Sequence, residues 1–268
     1  MKPSPLIDAH DEARFGGKAG KLARSLQAGL PVPPGFALGC THVEAIHGKH
    51  PDALNFLRQA FIELAGPCAV RSSAIGEDSQ SASFAGQHLT LLNVRGPDHV
   101  APAVLQVRES ARTDAALAYR RKMGMDETPQ VAVVVQRMIE PDCAGVMFTR
   151  DPIRGANERV IEAAWGLGEA VVAGLVVPDN FVLGPSGDVR RIKIGCKDIA
   201  LRSNPAGGTI EEAVAADLAE KPCLLDAQLA QLSDLAARCE KHFGAGLDLE
   251  WAFSGGKLYL LQCRAMTR

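Results

Sequence analysis

The sequence has no paired cysteine motif. Its seven cysteines (Cys40, Cys68, Cys143, Cys196, Cys223, Cys239 and Cys263) are odd in number, scattered, and contain no C-x-x-C. This spacing excludes a disulfide framework and a cysteine zinc site, and predicts reduced thiols in the cytoplasm. Excess positive charge is also lacking, because 29 Lys and Arg face 31 Asp and Glu for a formal net charge of −2. Nucleic acid and an anionic membrane are therefore not expected as main partners. No run approaches the roughly 18 apolar residues of a membrane span. The opening Met1-Lys2-Pro3-Ser4-Pro5 lacks the apolar core of a signal peptide, so neither secretion nor membrane insertion is expected. Internal repeats and low-complexity tracts are absent too.

What is present suits a large folded unit: 268 residues with 47% apolar and 22% charged residues can bury a substantial core as one domain or two lobes. Leu22, Leu26 and Leu30 recur at helical spacing, with Gly29 and Pro31 to Gly35 ending the pattern. Further helices are predicted over Asp52 to Leu64, Val100 to Lys122, Glu211 to Leu218 and Leu224 to Phe243. Strands are predicted at Cys68 to Val70, His88 to Val94, Val131 to Ile139, Gly145 to Phe148, Arg159 to Ala164 and Phe181 to Leu183. Because β segments cluster late, we expect an N-terminal lobe over residues 1–125 and a β-rich lobe over 126–268.

Two places carry chemistry. The first begins at Arg71, which leaves the apolar Cys68-Ala69-Val70 and is followed by Ser72, Ser73, Gly76, Glu77-Asp78-Ser79 and Ser83-Phe84-Ala85-Gly86-Gln87. A guanidinium can grip phosphate with two parallel hydrogen bonds, and small residues let backbone N–H groups approach the same oxygens. A solvated Ser/Gly turn is the commoner fate of such a composition, but this stretch is long for one. The second is a terminal hairpin. Leu247, Leu249, Trp251 and Phe253 alternate with Asp248, Glu250 and Ala252, and Ser254-Gly255-Gly256 turns the chain into Lys257 to Cys263. A three-residue loop pairing Phe253 with Lys257 would set Leu260 opposite Glu250 and Gln262 opposite Asp248, with Asp248, Glu250 and Gln262 on one face. Two carboxylates and an amide oxygen suit Mg²⁺, although a polar outer face of an edge hairpin would read the same way.

Two near-miss motifs are set aside. Gly16-Gly17-Lys18-Ala19-Gly20-Lys21 is not a P-loop, since Phe15 stands where glycine is needed and no Ser or Thr follows Lys21. Gly166-Leu167-Gly168 lacks the third glycine of a dinucleotide fingerprint, with Val171 in its place.

Arg-Ser-Ser-Ala at 71–74, Glu-Asp-Ser and Ser-Phe-Ala-Gly-Gln resemble, in that order, the nucleotide-binding domain of the phosphoenolpyruvate synthase, pyruvate phosphate dikinase and rifampin phosphotransferase family. The resemblance extends through Gly16-Gly17-Lys18, Val133 to Met138, Gly145 to Thr149, Trp165 to Glu169, Pro178-Asp179, and Glu250 with Gln262 and Arg264, so it spans the chain. It implies an α+β, ATP-grasp fold with two lobes clamping ATP and Mg²⁺. It further implies phosphate contacts at Lys18, Arg71 and Arg264, nucleotide contacts at Gly86, Thr90 and Gln136, and metal ligation by Glu250 and Gln262. An arginine of the phosphate site falls at Arg120 or Arg121. The family usually has proline after the last arginine, and this chain has Ala265.

The implied reaction is attack of a histidine on the β-phosphate, giving AMP and a pyrophosphorylated histidine on a separate swivelling domain. None of the seven histidines (His10, His42, His47, His50, His88, His99 and His242) sits in the family's Gly-rich Ser/Thr-His context, and the sequence given stops at Arg268. The expectation is therefore either an excised domain or one subunit of a split enzyme. The second form resembles phenylphosphate synthase, where a phosphohistidine subunit serves a small hydroxyl acceptor such as a phenol. Two rival readings stay open: an ATP-grasp ligase that forms an acyl phosphate and ADP, and a noncatalytic ATP-binding regulatory module.

Overall fold

A computed structural model describes residues 2–75, 89–122, 124 and 129–266 of the chain. Its first sheet contains β1 (Ser4–Pro5), β2 (Gly35–Leu38), β3 (Cys68–Ala74), β4 (Thr90–Val94) and β5 (Val131–Arg137), antiparallel in the order β1-β2-β5-β3-β4. Ahead of β2 lies α1 (Glu12–Gln27), and α2 (Cys40–His47) and α3 (Pro51–Leu64) precede β3. The single helix expected over Val100 to Lys122 is two: α4 (Val100–Ser110) and α5 (Asp114–Lys122). The break falls at Thr113, whose Oγ1 accepts from Ala116 N at 3.3 Å and caps the new helix.

Val133 and Val135 of β5, with Cys68 and Val70 of β3, face Val43, Leu57, Phe61 and Val104 from α2, α3 and α4. Val134 points to the other side and joins a second, larger core. β5 is thus buried on both faces, which explains its unbroken valine run. That burial also moves the strand relative to the expected lobe boundary. The boundary after residue 125 assigned Val131–Arg137 to the β-rich lobe, whereas the strand pairs in the first sheet between β2 and β3. A run apolar on every residue carries no alternation from which a sheet could be chosen.

The second sheet is built from β6 (Cys143–Phe148), β7 (Arg159–Trp165), β8 (Asp179–Leu183) and β9 (Val189–Lys193), with the short α6 (Glu169–Val172) between β7 and β8. β10 (Ile199–Ser203) and β11 (Thr209–Ala213) form a separate hairpin, followed by α7 (Ala216–Ala219), α8 (Asp226–Phe243), β12 (Leu247–Ser254) and β13 (Lys257–Ala265). The six strands run antiparallel in the order β13-β12-β6-β7-β8-β9. The expected helix over Glu211 to Leu218 is instead mostly strand and loop. Its Glu-Glu-Ala sequence favours helix, but Thr209 to Ala213 pairs residue for residue with Ile199 to Ser203, and that tertiary ladder overrides local propensity.

Leu229, Leu232, Leu235 and Ala236 of α8 pack beneath Leu249, Trp251, Phe253 and Leu260, and Phe15, Ala19 and Leu22 of α1 join the same core. Each fully buried large side chain of this kind contributes roughly 1.5–3 kcal/mol of transfer free energy. α1 therefore sits between the two sheets. At the start of β8, the buried Asp179 accepts hydrogen bonds from Gly195 N, Cys223 N and Lys197 Nζ, the last at 2.5 Å. Both members of this ion pair are fully buried, and the two backbone donors satisfy carboxylate oxygens that would otherwise carry a large desolvation cost. All seven cysteines are free thiols. Among the described residues, no helix is long and apolar enough to cross a membrane.

Candidate functional site

The position of Lys18 follows from a break in α1. Gly16 has φ +79°, outside helical geometry, and a Cβ there would lie 1.7 Å from the Ser73 carbonyl oxygen. Only glycine permits so close an approach of helix to strand. Ser73 exploits it: its Oγ donates to Phe15 O at 2.7 Å and accepts from Ala19 N at 3.0 Å, so β3 caps the restarted helix. Lys18 lies in that first turn, and its Nζ donates to Gln262 Oε1 at 2.8 Å.

On β3, Arg71 lies directly opposite Thr90 of β4 and Val134 of β5. Gln136 lies two residues along β5 from Val134, so Arg71, Thr90 and Gln136 share the sheet face turned toward the second core. Gln136 is buried, and its Nε2 donates to Pro33 O at 3.1 Å. Gly86 lies outside the described residues, as do Glu77-Asp78-Ser79 and His88. Arg120 is buried and Arg121 exposed on α5.

The terminal hairpin differs from the expected register. Gly255 and Gly256 have φ +55° and +76°, which close a two-residue loop with Ser254 opposite Lys257. Trp251 then faces Leu260, a bulge intervenes, and Glu250 faces Gln262 while Asp248 faces Arg264. The bulge makes Leu261 the extra residue and switches the alternation of β13. Leu258 and Leu260 point into the core before it, and Cys263 does so after it. Gln262 and Arg264 are thereby moved onto the face of Asp248 and Glu250. The expected grouping on one face is reached through a different pairing.

The bulge has a second consequence, because it presents the Leu261 carbonyl to Arg71. Arg71 Nη1 donates to Leu261 O at 2.6 Å, while Nη2 donates to Glu250 Oε2 at 2.9 Å and to Gln262 Oε1 at 3.0 Å. One guanidinium from the first sheet thus holds three acceptors on the second. Arg264 Nε and Nη2 both donate to Asp248 Oδ2, at 2.9 and 2.8 Å. Burial pushes the Asp248 carboxyl above its ordinary range, against the downward pull of Arg264 beside it. Lys18, Arg71, Glu250 and Gln262 therefore form one hydrogen-bonded cluster between the sheets, with the Asp248–Arg264 pair beside it on the same two strands. Neither the Leu261 carbonyl nor the pairing of Asp248 with Arg264 was foreseen from sequence. The hairpin pattern contained no signal for the bulge, because its alternation reads equally well without one.

The pyruvate phosphate dikinase AMP/ATP-binding domain family matches residues 44–268. The chain belongs to this family. Its curated relatives include the prodigiosin synthesizing transferase PigC of Serratia marcescens, 37% identical over all of this chain and 34% of that protein. A probable phosphoenolpyruvate synthase of Methanocaldococcus jannaschii is 34% identical over 94% of this chain and 25% of its own length. A rifampicin phosphotransferase of a Streptomyces species is 36% identical over 97% of this chain and 28% of its own length. The chain thus spans about a quarter to a third of these relatives. Of the dikinase-family motifs read from the sequence, Gly16-Gly17-Lys18, Arg71 to Ala74 and the set Glu250, Gln262 and Arg264 fall on the region just described, and the two-sheet arrangement around them is α+β, as expected.

In this dikinase-family domain, the donor set suits a hard cation with phosphate. Glu250 and Gln262 offer oxygen atoms side by side across adjacent strands, the ligand type that Mg²⁺ takes alongside water and phosphate oxygens. Among the described residues, no group of three His, Cys, Asp or Glu side chains is arranged to hold a metal. A buried polar atom beside Glu250 and Gln262, Arg71 Nε, has no hydrogen-bond partner among the described residues, and buried polar atoms are seldom left so.

Proposed function

We propose that this domain binds Mg·ATP between its sheets and transfers the β,γ-pyrophosphoryl group to a histidine on a separate swivelling domain or subunit, releasing AMP. The observation that carries this reading is the meeting of Lys18 and Arg71 on Gln262, with Arg71 also on Glu250. Phosphoryl transfer requires positive charge and a metal aimed at the phosphate oxygens more than it requires a general base. Three cations, Lys18, Arg71 and Arg264, surround two carboxylates and one amide, so a tetraanionic triphosphate with its metal completes the charge pattern. Gln262 and Glu250 would hold Mg²⁺, which withdraws charge from the phosphates when bound. Lys18 and Arg71 would then exchange their amide and carboxylate acceptors for phosphate oxygens, with Arg264 on the terminal phosphate. Gly86, Thr90 and Gln136 would contact the nucleotide.

In the transfer, the partner's histidine nitrogen forms a bond to the β-phosphorus as the bond from that phosphorus to the α-phosphate oxygen breaks. AMP leaves with the bond's electron pair. Water then takes the terminal phosphoryl group of the pyrophosphorylated histidine as inorganic phosphate. The remaining phosphoryl group passes to the oxygen of a small hydroxyl compound bound by the partner, such as a phenol, as the P–N bond breaks and the histidine nitrogen takes up the hydroxyl proton. The family relatives named as phosphoenolpyruvate synthase and rifampicin phosphotransferase support this class of reaction. Incubating the chain with ATP, Mg²⁺ and a phosphohistidine-type partner and separating the nucleotides tests it. AMP with label retained on the partner is expected. ADP would indicate a ligase forming an acyl phosphate, and bound but unchanged ATP would indicate a regulatory module.

A further inference from the structure

The second sheet extends the site beyond the residues named so far. Its registers set Gln262 opposite Glu250, Glu250 opposite Val146, Val146 opposite Glu162, and Glu162 opposite Asn180. Residues directly opposite in antiparallel strands share a face, so these side chains form one row on the same side as Glu250. At the usual strand spacing, Glu162 lies two strands, or about 10 Å, from Glu250. The intervening floor is apolar and half-buried at Val146, and the next row adds Phe148 and Val160. Glu162 itself is half-buried and makes no hydrogen bond or ion pair among the described residues. Nearly every other carboxylate on this face is engaged: Asp248 by Arg264, and Glu250 by Arg71. At the end of the row, Asn180 Oδ1 accepts from Arg191.

We infer that Glu162 recognises the ribose of the nucleotide through its vicinal hydroxyls. This rests on the proposed ATP site, in which the phosphates lie at Glu250 and Gln262. A nucleotide whose phosphates are held there and whose sugar runs along this row over Val146 would bring its ribose to Glu162. Of a nucleotide's parts, the sugar offers two adjacent O–H donors, and an ionised carboxylate is acceptor-only with two oxygens. A carboxylate in that position would favour ribose over deoxyribose, because losing a donor leaves a partly buried acceptor unpaired. Glu162 is thus assigned as a specificity residue that touches substrate, with no part in the bonds that form or break.

The test compares binding of Mg·ATP, Mg·2′-deoxy-ATP and Mg·3′-deoxy-ATP to the intact chain and to its Glu162→Gln and Glu162→Ala variants by calorimetry. Melting curves serve as the folding control. The wild-type chain is expected to prefer ATP over at least one deoxy analogue on the order of tenfold. Glu162→Ala should reduce that preference to near unity while leaving affinity for the disfavoured analogue within about twofold, and Glu162→Gln, of the same shape, should fall between. A ribose preference that persists in both folded variants overturns the inference and leaves the ATP site standing. An equal loss of all three nucleotides in the folded Glu162→Gln variant also overturns it, since that would indicate a general or metal-linked role. If the wild-type chain binds none of the three, the ATP reading and this inference fall together.

Discussion

At the scale of single residues, Arg71 has the most to explain. Its side chain is 9% exposed, it crosses from one sheet to the other, and its two terminal nitrogens serve Glu250, Gln262 and the Leu261 carbonyl. Truncation removes a planar fork that lysine cannot reproduce. Arg71→Ala is expected to lower nucleotide-dependent turnover by at least tenfold, mostly in kcat, because phosphate contacts strengthen in the transition state. Steady-state assays of AMP release with the partner measure this, and near-normal turnover would remove Arg71 from the mechanism. The sequence made Arg71 legible because an arginine directly after the apolar Cys68-Ala69-Val70 and before small hydroxyl residues has few structural reasons to be there, and β3 in fact runs through it to Ala74. Gln136 was legible only by its motif. Its position at the end of a valine run suggested a satisfied core amide as readily as a ligand, and in this structure its Nε2 is bonded to Pro33 O.

At the scale of elements, the junction of α1 with β3 and the bulge in β13 do the positioning. Gly16→Ala would force a methyl carbon to within 1.7 Å of the Ser73 carbonyl oxygen at a backbone φ of +79°. The helix must move away or the kink must unwind, at a cost on the order of 2 kcal/mol or more. Urea unfolding should show that loss. Nucleotide affinity should fall by more than global stability predicts, since Lys18 lies two residues beyond the kink. A variant of unchanged midpoint would show that the close approach can relax freely. From sequence, Gly16-Gly17-Lys18 is set aside as a P-loop, and only Lys18 is kept, as a phosphate contact implied by the family resemblance. The actual reason for Gly16 is contact with a strand some 57 residues later, which no local pattern encodes. The same holds for the hairpin, where the glycine pair announced a turn but the bulge at Leu261 was set by packing of Leu258, Leu260 and Cys263 into one core.

At the scale of the whole molecule, the proposed site depends on two sheets held at a fixed separation by α1 and spanned by charged side chains. Ligand binding across such a junction stabilises the folded state by mass action, about 2.7 kcal/mol at a hundredfold excess over Kd. Melting in ATP with Mg²⁺ is therefore expected to shift upward, with little shift when EDTA is added, and Arg71→Ala should abolish most of the gain. Equal shifts with and without metal would remove Glu250 and Gln262 from the role of metal ligands.

The sequence by itself determined the α+β class, the family, the strands of the hairpin and the identity of the charged and amide groups. Each of these is written locally, in alternation, in turn residues or in short motifs. Only the tertiary structure decided that Val131–Arg137 belongs to the first sheet, that Thr209–Ala213 is a strand, and that Glu250 faces Gln262 across a bulge. Those outcomes depend on which distant segment supplies the hydrogen-bonding edge and which face the shared core buries. Neither choice is encoded within the segment it affects.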